Sequence, residues 1–523
     1  MKSVSILIAL FPFLLLGQQE EDNLAKTSLG AAADKLAAGN YEEALTDYLS
    51  LHSKDPQNMK INYDIAVCYL NFNGNKTKAL PYLEKIVHDP LHDPNAEYLL
   101  GRAYQFSLKF DEAEKYFSKF VTRGKGKEDL LKDAANQIQY CINARERVKF
   151  PLNVKFENLG NAVNSEFADY YAFIPVDESF IIFNSKRPVE TVEKKDNGEY
   201  PNVIMISEVR DGKFQEAKKL DLLFPKELKE WEVIGLSANG QALLVYASDG
   251  KNPGNIFIAE KDAQGKFNYL NRLDKHINSN AEEIAASINA EGTVIYFTSD
   301  RTGGIGGTDI YISRKTPKGV WGEAQNAGKE INTPQNEDFP NISPDGKSLY
   351  FSSTGHTSMG GYDIFKASWN EQTNAWENPK NIGFPVNTPM DDYNFRISKN
   401  SRYGYISAIR DEGLGDFDNY RIIFNDVEPE LTVMYGQILA EDGSQINYPD
   451  VFISVTSDKS GELMGNYVPN SNTGKYVVIL PPGHYTLTVE LFNFKLLTQK
   501  LEILDKSSFQ AEKEFNLKLQ IQK

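Results

Sequence analysis

Between positions 24 and 149 apolar residues recur at three- and four-residue intervals, the period of helices with one buried face. The segment Lys35-Leu36-Ala37-Ala38-Gly39-Asn40-Tyr41-Glu42-Glu43-Ala44-Leu45 predicts one helix ending at Gly39 and a second starting near Tyr41. The plan returns. Ala44, Ala79 and Ala113 lie 35 and 34 positions apart, Tyr48, Tyr82 and Phe117 follow them, and Pro56 and Pro90 end two units. Three units are read in this way, followed by a charged helix over about 128–148 that caps the stack.

After Pro151 the helical period gives way to turn residues feeding short apolar strands, the pattern of hairpins. Five segments align: 175–183, 237–245, 289–297, 343–351 and 398–406. Their turn positions are Glu178, Gly240, Gly292, Gly346 and Ser401, spaced 62, 52, 54 and 55 residues apart. Four strands per unit at that period predict a β-propeller of five blades over 151–426, with six open because the first repeat is long. The strings Asn326-Ala327-Gly328-Lys329-Glu330-Ile331-Asn332-Thr333 and Asn381-Ile382-Gly383-Phe384-Pro385-Val386-Asn387-Thr388 end two blades, and Asn158–Ser165 repeats them ahead of the first. The segment 153–157 is therefore expected to supply the outer strand of the last blade. From 431 to 523, alternating strands with Pro/Gly turns predict a small β-sandwich. The fold class is thus multidomain, α plus all-β: an α-solenoid, a propeller and a C-terminal sandwich.

These patterns resemble known families. The period near 34 resembles tetratricopeptide repeats, which implies a concave face for peptides or partner domains. "SPDGKSLYFSS" and "SDRTGGIGGTDIY" resemble the PD40 (WD40-like, TolB-type) propeller repeat, and "GKYVVILPPGHYTLTVE" resembles the carboxypeptidase-regulatory-like (transthyretin-like) fold. The order of the units is similar to Bacteroidota envelope proteins, in particular the OmpA-family component associated with type IX secretion and gliding. In that family a peptidoglycan-binding OmpA-like domain usually follows the sandwich. None follows here, so the resemblance implies a scaffold more than an anchor.

The first residues change the picture. Lys2, the apolar run through Leu16 and Gly17 have the layout of a signal peptide over 1–17, with cleavage expected after Gly17. No cysteine stands there for a lipid anchor, and no later stretch is long and apolar enough to span a bilayer. An exported, periplasmic or outer-membrane-associated chain is expected. The net charge of −16 excludes a phosphate-backbone binder, which needs a basic face, and no nucleic-acid partner is expected.

Candidate chemistry is sparse, and neither enzyme activity nor any cofactor or metal is expected. Only Cys68 and Cys141 occur, without a spacing that signals a disulfide. His88 and His92 have metal-pair spacing, but Pro90 breaks the helix between them. The acidic run 411–418 is off register for a calcium loop. One constellation points to binding. Asp169, Glu283, Glu337 and Asp392 fall at equivalent offsets before the inner strands, with Glu232 near the same place. Blade symmetry would bring them round one mouth of the channel, where they either hold a cation or basic peptide or cap their own turn amides. The function expected is a non-catalytic scaffold whose helical groove and propeller faces hold other envelope proteins or peptides. A peptide- or glycan-processing enzyme on the propeller, marked by paired carboxylates with shifted pKa values, and a surface adhesin are the alternatives. Oligomeric state is left open.

Overall fold

The computed structural model describes residues 28–189, 193–195, 198–398, 400–410, 412–504 and 510–522. The signal-peptide reading lies outside them.

Seven α-helices come first: α1 (Leu29–Ala37), α2 (Tyr41–Lys54), α3 (Met59–Asn71), α4 (Leu80–Val87), α5 (Asn95–Phe106), α6 (Phe110–Arg123) and α7 (Glu128–Arg147). Ser28 starts α1 by accepting the Ala31 amide on its hydroxyl at 3.0 Å. Gly39, at φ +81°, turns the chain towards α2. Ala44, Ala79 and Ala113 are fully buried where neighbouring helices approach, and Tyr48 and Phe117 fill the space behind them. Gly101 of α5 lies so close to α6 that a Cβ there would fall 2.6 Å from the Phe117 ring. Cys68 and Cys141 are unpaired and buried, and burial pushes both thiols up to about 12.

Residues 154–424 form five antiparallel sheets. Blades two, three and four each take four consecutive strands, with inner strands Glu230–Leu236, Glu283–Ile288 and Glu337–Ile342. Blade one begins with inner strand Asp169–Phe173 and carries an additional short strand, Lys213–Phe214. The length of the first repeat lies in the connection from Ser185 to Val203, longer than that from Ser248 to Asn255 in blade two, and among the described residues no sixth sheet forms between 154 and 424. Blade five is closed by the start of the segment. Val154–Asn158 pairs antiparallel with Asp418–Phe424, from Val154 opposite Phe424 to Asn158 opposite Tyr420. That strand removes the free edge at which the ring would otherwise open. The turn positions Glu178, Gly240, Gly292, Gly346 and Ser401 all have φ between +49° and +71°. The two non-glycine turns therefore keep the same left-handed geometry.

Apolar side chains interdigitate between successive blades. Phe173 and Leu243 lie between one and two, Leu244 and Phe297 between two and three, Ile312 and Phe351 between three and four, and Tyr350 and Phe395 between four and five. The junction of blades five and one is sealed by Asn164, whose side chain bonds both the N–H and the C=O of Asn419.

The remaining chain forms two four-stranded sheets round a single core. Strand Lys475–Leu480 buries every second residue, as a strand covered on one face must.

Candidate functional site

A recurring asparagine, in an Asn-x-Gly string at three of its positions, explains how four of the five blade junctions are fixed. Asn332 accepts the Ile310 N–H on Oδ1 at 2.9 Å and donates Nδ2 to the Ile310 carbonyl at 3.0 Å. Asn278 does the same to Ile256 and Asn387 to Ile364. A side-chain amide thus stands in for a strand's paired donor and acceptor, and the loops before the inner strands of blades one, three, four and five are bound to the blades they leave.

The five carboxylates singled out from the sequence are placed differently from an open acidic ring. Asp169, Glu283 and Glu337 are fully buried, and Asp392 is 6% exposed. Each turns back on its own loop. Glu337 accepts from the Thr333 amide and hydroxyl, both at 2.7 Å, and from the Ser353 hydroxyl. Asp169 binds Ser165, Glu283 binds Ser279 and Asp392 binds Thr388 through the corresponding groups. Glu232 instead accepts the Tyr170 hydroxyl at 2.9 Å. Their physical role is to satisfy turn amides at the start of an inner strand, where backbone donors have no ladder partner.

Sequence reasoning missed the cations that accompany them. Arg187 bonds Asp169 at 2.6 Å and Arg301 bonds Glu283 at 3.0 Å, each 18 residues after its acid. In blade five Arg410, again 18 residues on, acts on Asp392 through its charge. Blade four has Gly355 at that offset, and His356 takes over only the contact to the preceding loop, through its ring nitrogen and the Ile331 carbonyl. Burial accordingly raises Glu337 to about 7. Asp392 is also pushed up to about 7 by burial, against its bonds to Thr388 and the Arg410 charge. The constant offset of 18 was the available signal.

The ring axis is filled by aromatic side chains. The Tyr171 and Phe339 ring centres are 4.7 Å apart, and Phe339 stacks on Tyr393 at 5.0 Å. Tyr171 and Phe339 have positive φ in bulged inner strands that turn these side chains towards the axis, and Asn394, just before the inner strand of blade five, has positive φ as well.

The helices pack over this same face. The Tyr140 hydroxyl bonds the Thr354 carbonyl, Asn143 donates to the Ser358 carbonyl at 2.8 Å, and Asn73 donates to Asp416 at 3.1 Å. Met359 of blade four is fully buried in the core of α6 and α7. Beside this contact a cleft of 690 Å³ stays open between the two units. Asn73, Lys76, Phe106 and Leu108 wall one side, and Asp391, Asp392, Tyr393 and Arg410 belong to the other. A smaller pocket of 160 Å³ continues it under Tyr170 and Lys186, sharing Asn73, Tyr393 and Phe417. Lys76 donates to the Leu70 and Phe72 carbonyls, and burial lowers its ammonium to about 8. Asp416 is raised by burial to about 6. Among the described residues no serine, cysteine or histidine lines the larger cleft. Among the described residues no group of three His, Cys, Asp or Glu is arranged to hold a metal, and no helix is long and apolar enough to cross a membrane.

No protein-family model matches the chain, and no curated protein matches it. Solved structures resemble parts of the chain at low identity. TolB from Acinetobacter baumannii aligns over 56% of this chain and 70% of its own, at 14% identity and a TM-score of 0.33. The periplasmic gluconolactonase PpgL of Pseudomonas aeruginosa aligns over 62% and 88%, at 11% identity and a TM-score of 0.28. An α-L-arabinofuranosidase from Lactobacillus brevis aligns over 53% and 93%, at 10% identity and a TM-score of 0.33. Likenesses this distant assign no role to the chain.

Proposed function

We propose that the protein is a non-catalytic, exported scaffold of a Gram-negative envelope that holds protein or peptide partners between its helical array and its propeller. The proposal takes the helices as tetratricopeptide-like, the C-terminal unit as a carboxypeptidase-regulatory-like sandwich, and the order of units as that of envelope components related to type IX secretion or gliding. The observation that carries it is the cleft: helical and ring residues build its walls together, it is large enough for several side chains of a partner, and its charged groups have both signs. Aromatic Phe106 and Tyr393 beside Lys76, Asp391 and Arg410 give the mixture of apolar anchors and polar orienting groups that peptide recognition uses.

Asp392 beside Asp391, raised to about 7, is the feature that favours a processing enzyme instead. Against that reading, Asp392 is buried and its Oδ2 is occupied by the Thr388 amide and hydroxyl. Asp391 is likewise engaged by the Tyr362 amide at 3.0 Å.

The test is a photo-crosslinking residue placed in living cells at Leu108 or Asp391, with exposed Leu223 on the ring flank as control. The expected result is one shared set of envelope proteins captured from both cleft positions and not from Leu223. Identical capture from all three positions, or none from the cleft, refutes the scaffold assignment for this site.

A further inference from the structure

The other mouth of the ring, away from the helices, contains a group that the cleft does not use. There the inner strands of all five blades end round an axial cavity of 40 Å³, with Phe173, Leu236, Ile288, Ile342 and Arg396 contributed in turn by blades one to five. Arg396 is 93% buried, being 7% exposed. Its Nη2 donates to the neutral Asn394 side chain at 2.9 Å, and its Nε has no hydrogen-bond partner. Its guanidinium carbon lies 4.4 Å from the centre of the Phe173 ring, another wall of the same cavity.

What sets Arg396 apart is the missing acid. Arg187, Arg301 and Arg421 of the same ring each contact a carboxylate, on Asp169, Glu283 and Glu157. Partly buried Arg410, which contacts none among the described residues, is still acted on by the charges of Asp392 and Glu412. Among the described residues no carboxylate reaches salt-bridge distance of Arg396, and burial alone lowers its pKa to about 9. Glu178 also lines the cavity, where burial and its charge raise the pKa of the Tyr405 hydroxyl, and it is not among the groups acting on Arg396. A guanidinium removed from water without a counter-charge destabilises the fold. A negative charge supplied from outside the chain would offset that cost.

We propose that this axial cavity binds a carboxylate, received by Arg396 through its forked donors. A carboxylate matches the planar guanidinium with two parallel hydrogen bonds, which favours it over a spherical anion. The cavity exceeds the ~10–15 Å³ that one water requires and is too small for a sugar or nucleotide. The Leu, Ile and Phe walls suit a ligand with little polarity behind its acid group, so the carboxylate comes either from a small free acid or from a peptide C-terminus entering through the mouth. This inference is independent of the helical cleft.

The experiment is isothermal titration of the full chain, at constant chloride, with acetate, with the dipeptide Ala-Ala, and with the same dipeptide amidated. Saturable binding of acetate or Ala-Ala, but not of the amide, is expected. Acetate without the dipeptide identifies a free acid as the source, and binding of both admits peptide termini. Arg396→Met is expected to weaken binding at least tenfold while leaving the ligand-free melting temperature unchanged or higher, because the uncompensated charge is gone. Arg396→Lys keeps the charge, loses the fork and is expected to weaken binding several-fold. Absence of saturable binding, or equal affinity in both variants and the wild type, overturns the proposal. So does a lower ligand-free melting temperature for Arg396→Met with binding retained, the mark of a purely structural arginine.

Discussion

Asp169, Glu283, Glu337 and Asp392 occupy one structural position in four blades, yet their neighbours differ. Arginine contacts two of them, acts on a third from a distance, and is replaced by Gly355 for Glu337. Glu337 and Asp392 are both raised to about 7 in the folded chain, against 4.5 and 3.8 for the free groups. Between about pH 4 and pH 7 the folded state therefore binds more protons than the unfolded one. Stability is then greatest at the acid end of that window, falls as pH rises through it, and levels off above 7. Asp338 and Asp416, raised to about 6, act in the same direction, whereas His356, lowered by burial, acts against them. Urea unfolding is expected to show higher stability at pH 5.5 than at pH 8, by on the order of 1–3 kcal/mol for each strongly shifted acid. Glu337→Gln should flatten that slope, and an unchanged slope would mean that Glu337 ionises without penalty. The equivalence of the four acids could be read from their offsets. Their burial could not, because it depends on loops brought together from neighbouring blades.

At the scale of elements, the outer strand of blade five was readable because the string Asn158–Ser165 stands before the first blade as its relatives stand after others. The extra strand Lys213–Phe214 was not, since two residues carry no period. The ladder also shows which positions hold the closure. Asn425 donates to Asn153 and Leu159 donates to Asn419, so odd-numbered residues of Val154–Asn158 direct their backbone groups to the partner strand. Lys155→Pro removes a ladder donor and is expected to destabilise the ring by on the order of 1–3 kcal/mol. Lys155→Thr should be nearly neutral. Chemical unfolding compares the two, and light scattering should show self-association only for the proline variant, as its freed edge pairs with another copy. The Asn332, Asn278 and Asn387 side chains belong to the same level. Their recurrence was visible in the string, but its meaning emerged only once each was seen bonded across to the previous blade.

On the scale of the whole molecule, the packing of helices onto the ring creates the cleft, and Met359 is its most deeply committed contact, buried with Phe117, Cys141 and Ala144. Met359→Asp places a charge in that apolar site and is expected to separate the two units while the ring keeps its own fold. Small-angle scattering should report a larger radius of gyration, with the far-ultraviolet circular dichroism unchanged. An unaltered radius would show that the polar contacts of Tyr140 and Asn143 suffice to hold the units together. The sequence by itself determined the helices, the blade period, the five turns and the closing strand, because each depends on neighbours close along the chain or on a motif that repeats. Only the tertiary structure decided that the acids are buried, that the helices cover their mouth of the ring, and that Arg396 lies at the opposite mouth with no carboxylate of the described residues in salt-bridge contact. Burial and missing partners are properties of residues distant in sequence, and no local pattern encodes them.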